Sequence, residues 1–224
     1  MAKGQISRIE SPISQIAGDG GLSSHGTAMG RRARRAAETR LRLFRSALRL
    51  FAERGFFNVT VEDITEAADV GKGTFFNYFE TKDHVLSVMA EIQLGKVREA
   101  AALAAKGKQT IQSVLRSLLM GLAEEPGRSP SLARALISSF MTSEAVRGLV
   151  EAKMREGRAV VAGIIAAGQA RGEINLRLNK DKVAIQFMQA FLGTVLLWSL
   201  HGEPALTAWI EDSFQHFWRA LAAS

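Results

Sequence analysis

The sequence predicts an all-α protein: an N-terminal three-helix module followed by a larger helical bundle. Three observations carry this. Apolar residues recur at three- and four-residue intervals over nearly all of the chain beyond residue 30. Gly55, Pro126-Gly127, Pro130, Gly172 and Gly202 with Pro204 punctuate that pattern at helix-length intervals. No run of alternating strand residues has a useful length. The segment Ile174-Asn175-Leu176-Arg177-Leu178 alternates, but at five residues it reads as loop.

Residues 1–30 carry scattered Gly and Ser without apolar periodicity and read as a flexible leader. Arg31, Arg32, Arg34 and Arg35 then open the first strong helix, whose inner stripe is Leu41, Phe44, Leu48 and Phe51. Gly55 follows the last periodic residue, where a left-handed terminator is expected. Thr60 is placed to cap a short second helix, with Asp63 three residues on completing a capping box. Val61, Ile64, Ala67 and Ala68 give that helix a small inner face. Asp69-Val70-Gly71 makes a turn, and a third short helix runs from Gly73-Thr74 to Phe79. Thr81 caps a fourth, with the stripe Val85, Leu86, Met89 and Ile92. Further helices are expected over about 96–106, 110–124, 131–140, 143–171, 180–201 and 205–222. The implied domains are the leader at 1–30, a module at 31–92 and a body at 93–224.

Charge is distributed unevenly. Residues 1–54 hold eleven Lys/Arg and four Asp/Glu, whereas the other 170 hold 18 of each. The whole excess of +7 therefore sits at one end, as a polyanion-binding head on a neutral body requires. A merely solubilising basic tail is the bland alternative. The absence of cysteine excludes disulfides, thiolate metal sites and cysteine nucleophiles, and fits a reducing cytoplasm. The stretch 183–200 is apolar enough to resemble a membrane span. It contains Gln186 and Gln189 and has no second such segment beside it, so it reads as a buried helix and no membrane partner is implied.

Two short helices joined by a tight turn and framed by longer ones form the helix-turn-helix pattern. A helix that reads the major groove must be short, start with little bulk and expose its side chains. Gly71 and Gly73 suit a close backbone approach, and the helix start after Gly73 offers N–H groups to a phosphate. Lys72 and Thr74 are candidates for base-edge or phosphate contacts, and Asn77 reaches outward to a base or phosphate. Phe75 and Phe79 are expected to face the core. Arg31, Arg32, Arg34 and Arg35 either grip backbone phosphates or the minor groove, or form a solvated face.

The segment Thr60-Val61-Glu62-Asp63-Ile64, then 67–79 from Ala67 to Phe79, then Lys82, resembles the DNA-binding signature of the TetR family of bacterial transcriptional regulators. The resemblance runs from about Arg40 to Met89; beyond it, only helicity and length match. It implies that Tyr78, the single tyrosine, contacts a phosphate, with Thr60 and Lys82 anchoring the DNA backbone on either side. Phe76 stands where the family usually has Tyr. That change forfeits one phosphate hydrogen bond, worth about 0.5–1.5 kcal/mol, while leaving a ring that can meet a thymine methyl.

By the same resemblance the body binds a small effector and dimerises. Met120, Phe140, Met141, Met154, Phe187 and Trp198 are the expected effector contacts, since soft and aromatic side chains suit an apolar ligand; plain core packing is their alternative role. So sparsely polar a set points to a hydrophobic ligand, uncharged or cationic. The near-uniform apolarity of 183–200 suggests cover by a partner subunit. Phe191, Gly193 and Val195, with Trp209, Phe214 and Phe217 of the last helix, form the expected dimer interface.

His25, His84, His201 and His216 are scattered, and no nucleophile elbow, dinucleotide fingerprint or metal-binding pair is present. No catalytic residue, metal or cofactor is implied. The expectation is a cytoplasmic, homodimeric repressor that binds a palindromic operator in double-stranded DNA and is released by an apolar effector. An architectural or cell-division DNA binder without effector, and an activator, share the same head.

Overall fold

A computed structural model describes residues 27–222. Residues 1–26 of the expected leader, with His25, lie outside it. The last four leader residues belong to the first helix, α1 (Thr27–Arg54), so the basic run lies inside a helix rather than at its start. The 3-10 turn Phe56–Asn58 leads to α2 (Val61–Ala67) and α3 (Lys72–Phe76). Then follow α4 (Lys82–Lys106), α5 (Ile111–Ala123), α6 (Pro130–Thr142), α7 (Glu144–Ala170), α8 (Lys180–His201) and α9 (Leu206–Leu221). Among the described residues there is no strand, only an isolated antiparallel bridge between Ile174 and Ala222.

The helices expected on either side of residue 95 are one: α4 runs through Gly95 for 25 residues, about 37 Å. A lone helical glycine weakens a helix by roughly 1 kcal/mol and does not end it, particularly where neighbours on both sides are buried. Leu94 and Lys96 both are.

Two hydrophobic clusters organise the molecule. The first joins Leu43, Phe44, Phe51, Ile64, Phe75, Phe79 and Val85 and extends along α4 to Ile92. It also takes in Leu132 and Ala135 of α6 and Val146 of α7. The second begins at Val97 and is built from α5, α7, α8 and α9. The continuous α4 thus serves both clusters, and α6 reaches into the first from the body. Gln169 ties the α7–α8 loop down, its Nε2 donating to the carbonyls of Asn175 at 3.1 Å and Leu178 at 2.8 Å. Below that loop Gly168 fits against Ile174, whose Cδ1 would lie 2.7 Å from an added Cβ.

Helix α8 is not buried all round. Val183, Ala184, Phe187, Val195 and Trp198 face the core, whereas Ile185, Leu196, Leu197 and Leu200 are exposed. It is the one described helix long and apolar enough to cross a membrane, and its inner face is spent on this fold.

Candidate nucleic-acid interface and the cavity behind it

Local chemistry fixes the start and end of α2. The Thr60 hydroxyl accepts from the Asp63 N–H at 3.1 Å, and the Asp63 carboxylate accepts from the Thr60 N–H at 2.8 Å, a closed capping box. Asp63 also takes the Thr60 hydroxyl at 2.6 Å and Arg54 at 2.9 Å. The Thr60 hydrogen bonds, joined by Arg54, hold its carboxyl below the usual carboxylate range. At the other end the Val70 N–H bonds the Thr65 carbonyl and the Asp69 N–H bonds that of Glu66. This is a Schellman motif, with Asp69 at φ 51 where a left-handed residue is required. The turn delivers the chain into α3 at a fixed angle.

Helix α3 begins at Lys72, a residue earlier than the sequence suggests, with Gly71 as its N-cap. The Thr74 N–H consequently bonds the Gly71 carbonyl at 2.9 Å instead of pointing outward. Phe75 and Phe79 are fully buried, their ring centroids 5.4 Å apart. That anchors one face of α3 and turns Lys72, Gly73, Phe76 and Asn77 to solvent. Phe76 is 48% exposed, its ring meeting only the edge of Phe75, with centroids 5.5 Å apart. Thr74 and Tyr78 are half-buried, and Tyr78 packs against the N-terminal cluster. Lys72 pairs with Glu62 of α2 across the exposed face, and that bond lowers the Glu62 carboxyl. An exposed pair of this kind is weak and exchangeable.

Lys82 has an inward role that its position at a helix start does not reveal. Its ammonium donates to the carbonyls of Phe56 and Val59, each at 2.8 Å, and lies 4.4 Å from the Phe56 ring centroid. Burial pushes its pKa down. Two of its three donors are thus committed to the turn before α2. Arg31, Arg32, Arg34 and Arg35 are exposed on α1, with Arg34 bonded to Glu38 at 3.2 Å. Arg40 of α1 stacks 5.9 Å from the Phe79 ring centroid. Counted along the axis from there, the four arginines extend about 8–14 Å further.

Behind this face a cavity of about 190 Å³ opens between α4, α6, α7 and α8. Of the expected effector contacts, Phe140, Met154 and Phe187 line it. Met120, Met141 and Trp198 do not. Met141 is 65% exposed near the end of α6, Met120 packs against the core of the body, and Trp198 donates its indole N–H to the Pro204 carbonyl at 3.0 Å. Residue type alone does not give direction. Sequence reasoning missed Leu86 and Met89 on α4, Leu136 on α6, and the polar trio Gln93, Lys153 and Arg158. The spacing of Val150, Met154, Gly157 and Val161 along one face of α7 was the available signal.

The expected dimer residues also divide. Val195 and Phe214 are 5% and 2% exposed within one protomer, so their surface is already used. Phe191 lines the cavity, Phe217 packs 5.8 Å from Phe187, and Trp209 stacks on His201. Gly193 lies in open space, in register with the exposed Ile185, Leu196, Leu197 and Leu200.

The helix-turn-helix coincides with a family match. Residues 43–89 fit the model of the bacterial regulatory proteins of the tetR family. The N-terminal module is a TetR-type DNA-binding domain, and the chain is a helix-turn-helix transcriptional regulator. A relative named "Probable acrEF/envCD operon repressor", from Escherichia coli K12, is 27% identical over 74% of this chain and 78% of its own. Among solved structures, FadR of Bacillus subtilis, in complex with stearoyl-CoA, superposes with a TM-score of 0.67 at 20% identity. The match covers 79% of this chain and 96% of that one. Thermus thermophilus FadR, in complex with lauroyl-CoA, gives 0.57 at 25% identity, over 80% and 92%. Both structures share the fold.

Proposed function

We propose that the chain is a cytoplasmic repressor that binds a palindromic operator as a homodimer and is released when a small apolar effector fills the cavity. One observation carries the reading: the cavity wall and the DNA-binding core share residues. Leu86, Met89, Leu136, Phe140 and Val150 line the cavity and pack in the N-terminal cluster. An occupant would touch side chains that set where α3 points, with no intermediate relay. The effector acts only to the extent that it prefers one arrangement of these elements over the other.

Residues 31–92 form the DNA module and 93–224 the effector and dimer body, with α4 crossing between them. On DNA, the exposed Lys72, Phe76 and Asn77 of α3 enter the major groove, with Gly73 and Thr74 close to the backbone. Tyr78, Thr60 and the basic end of α1 meet phosphates. Lys82 supports this surface from inside. The partner subunit covers the exposed stripe Ile185, Gly193, Leu196, Leu197 and Leu200, which sets the two α3 helices about 34–36 Å apart. Solved relatives that hold stearoyl-CoA and lauroyl-CoA support an effector with an apolar chain. No catalytic step is assigned.

Selection of bound duplexes from a random pool at physiological salt tests the reading. One enriched palindrome is expected. Binding that falls with salt without any enrichment would overturn it in favour of an architectural role.

A further inference from the structure

The charges on the cavity wall point away from the cationic ligand that residue types alone allowed. Of the side chains lining the cavity, only Gln93, Lys153 and Arg158 are polar. Two are cations and none is an acid. A cationic guest would meet like charge and no acid on the wall, whereas an anion would meet Arg158 and could compete for Lys153. The rest of the wall, including Leu94, Val97, Phe140, Phe187 and Leu192, is apolar.

Lys153 already holds a carboxylate. Its ammonium lies 2.5 Å from Oε2 of Glu91, which precedes the cavity-lining Gln93 and Leu94 of α4 by two and three residues. Glu91 also bonds Arg98, and Arg98 bonds Glu156, so the chain Lys153–Glu91–Arg98–Glu156 clips α7 to α4 twice. The Lys153 bond is the main reason the Glu91 carboxyl titrates below its usual range. The Lys153 side chain is 34% exposed, so its ammonium stands where the apolar interior meets water. Arg158 lies five residues further along α7 on the same wall and has no carboxylate partner among the described residues.

We propose that the cavity takes an amphipathic anion, whose apolar tail fills the interior and whose acidic head takes Lys153 from Glu91. In the empty protein Glu91 stands in for that head group. This rests on the effector reading of the cavity and adds the chemistry of the ligand and its point of action. Displacing Glu91 removes one of two clips between α7 and the helix that begins in the DNA module. The interior is small, comparable to cavities that hold a single ring, so a short chain fits without expansion. A free carboxylate and the phosphates of an acyl thioester offer the same head chemistry.

The test is calorimetric titration of the full chain with octanoate, octanoyl-CoA, octanol and octylamine, which share a tail and differ in the head. Octanoate or octanoyl-CoA is expected to bind about tenfold tighter than octanol, with octylamine weakest. Whichever anion binds better identifies the source of the head group. Lys153→Met should reduce anion affinity several-fold more than octanol affinity, and Glu91→Gln should strengthen binding of the anion several-fold. Equal binding of octanol and both anions, or an equal loss of all ligands in Lys153→Met, overturns the proposal while leaving the effector cavity intact. Binding of none of the four overturns the effector reading itself and the proposal with it.

Discussion

Lys82→Met separates two roles for one residue. If Lys82 supports the turn before α2, the substitution removes two charged-donor hydrogen bonds at 2.8 Å and a cation–ring contact at 4.4 Å. Such hydrogen bonds are worth about 1.5–3 kcal/mol each when buried, and the ring contact about 0.5–1 kcal/mol. Lys82 is half-buried, so water replaces part of this, and the methionine stem keeps its packing. A net loss of about 2 kcal/mol follows, a fall in Tm of roughly 4–8 °C for a chain of this length. A direct phosphate contact predicts something different. Two protomers would lose two contacts, and the slope of log affinity against log salt would shrink by about 1.8. The assay is thermal melting by circular dichroism together with fluorescence anisotropy on DNA over a salt series. A lowered Tm with an unchanged slope is expected. An unchanged Tm with a slope reduced by about two would refute the structural role.

Replacing Arg31, Arg32, Arg34 and Arg35 together by Ala should weaken binding to all sequences alike. It should also lower the salt slope by about 0.9 per lost phosphate contact; anisotropy with specific and random duplexes measures both. Gly168→Ala drives a methyl to 2.7 Å from Ile174 Cδ1 and 3.2 Å from Ile111 Cγ2, both side chains fully buried. A loss of about 1–3 kcal/mol is expected in urea unfolding, and Ile174→Val, which removes that Cδ1, should restore part of it. Glu91 has a folded pKa below its ordinary 4.5, so the stability it adds is present above pH 4.5 and is lost as pH falls through the folded value. Glu91→Gln should accordingly lower stability at neutral pH and flatten the acid-side decline, as read from urea midpoints against pH.

What was legible in the sequence was local. The Thr60–Asp63 capping box, the turn over residues 69–71 and the inward pair Phe75 and Phe79 depend on spacings of a few residues, which the sequence displays directly, whereas the left-handed backbone at Asp69 does not show in it. The inward hydrogen bonds of Lys82 were not legible because the carbonyls it holds belong to residues 23 and 26 positions away. Phe191 and Val195 read as outward because a helix apolar on several sides gives no hint of which side meets its own bundle. The opposite face, with Ile185, Leu196 and Leu200, is the one left exposed. Gln93 and Lys153 went unnoticed because a cavity is defined by what packs around it, from four helices far apart in sequence.

The central claim is that α3 of each of two protomers enters a major groove. The chain contains no cysteine, so Asn77→Cys creates a single attachment point on the exposed face of α3 for a DNA-cleaving metal chelate. On the selected duplex the account predicts two clusters of cleavage in successive major grooves, about one helical turn apart and related by two-fold symmetry. A single cluster, or cleavage spread evenly along the duplex, would contradict it.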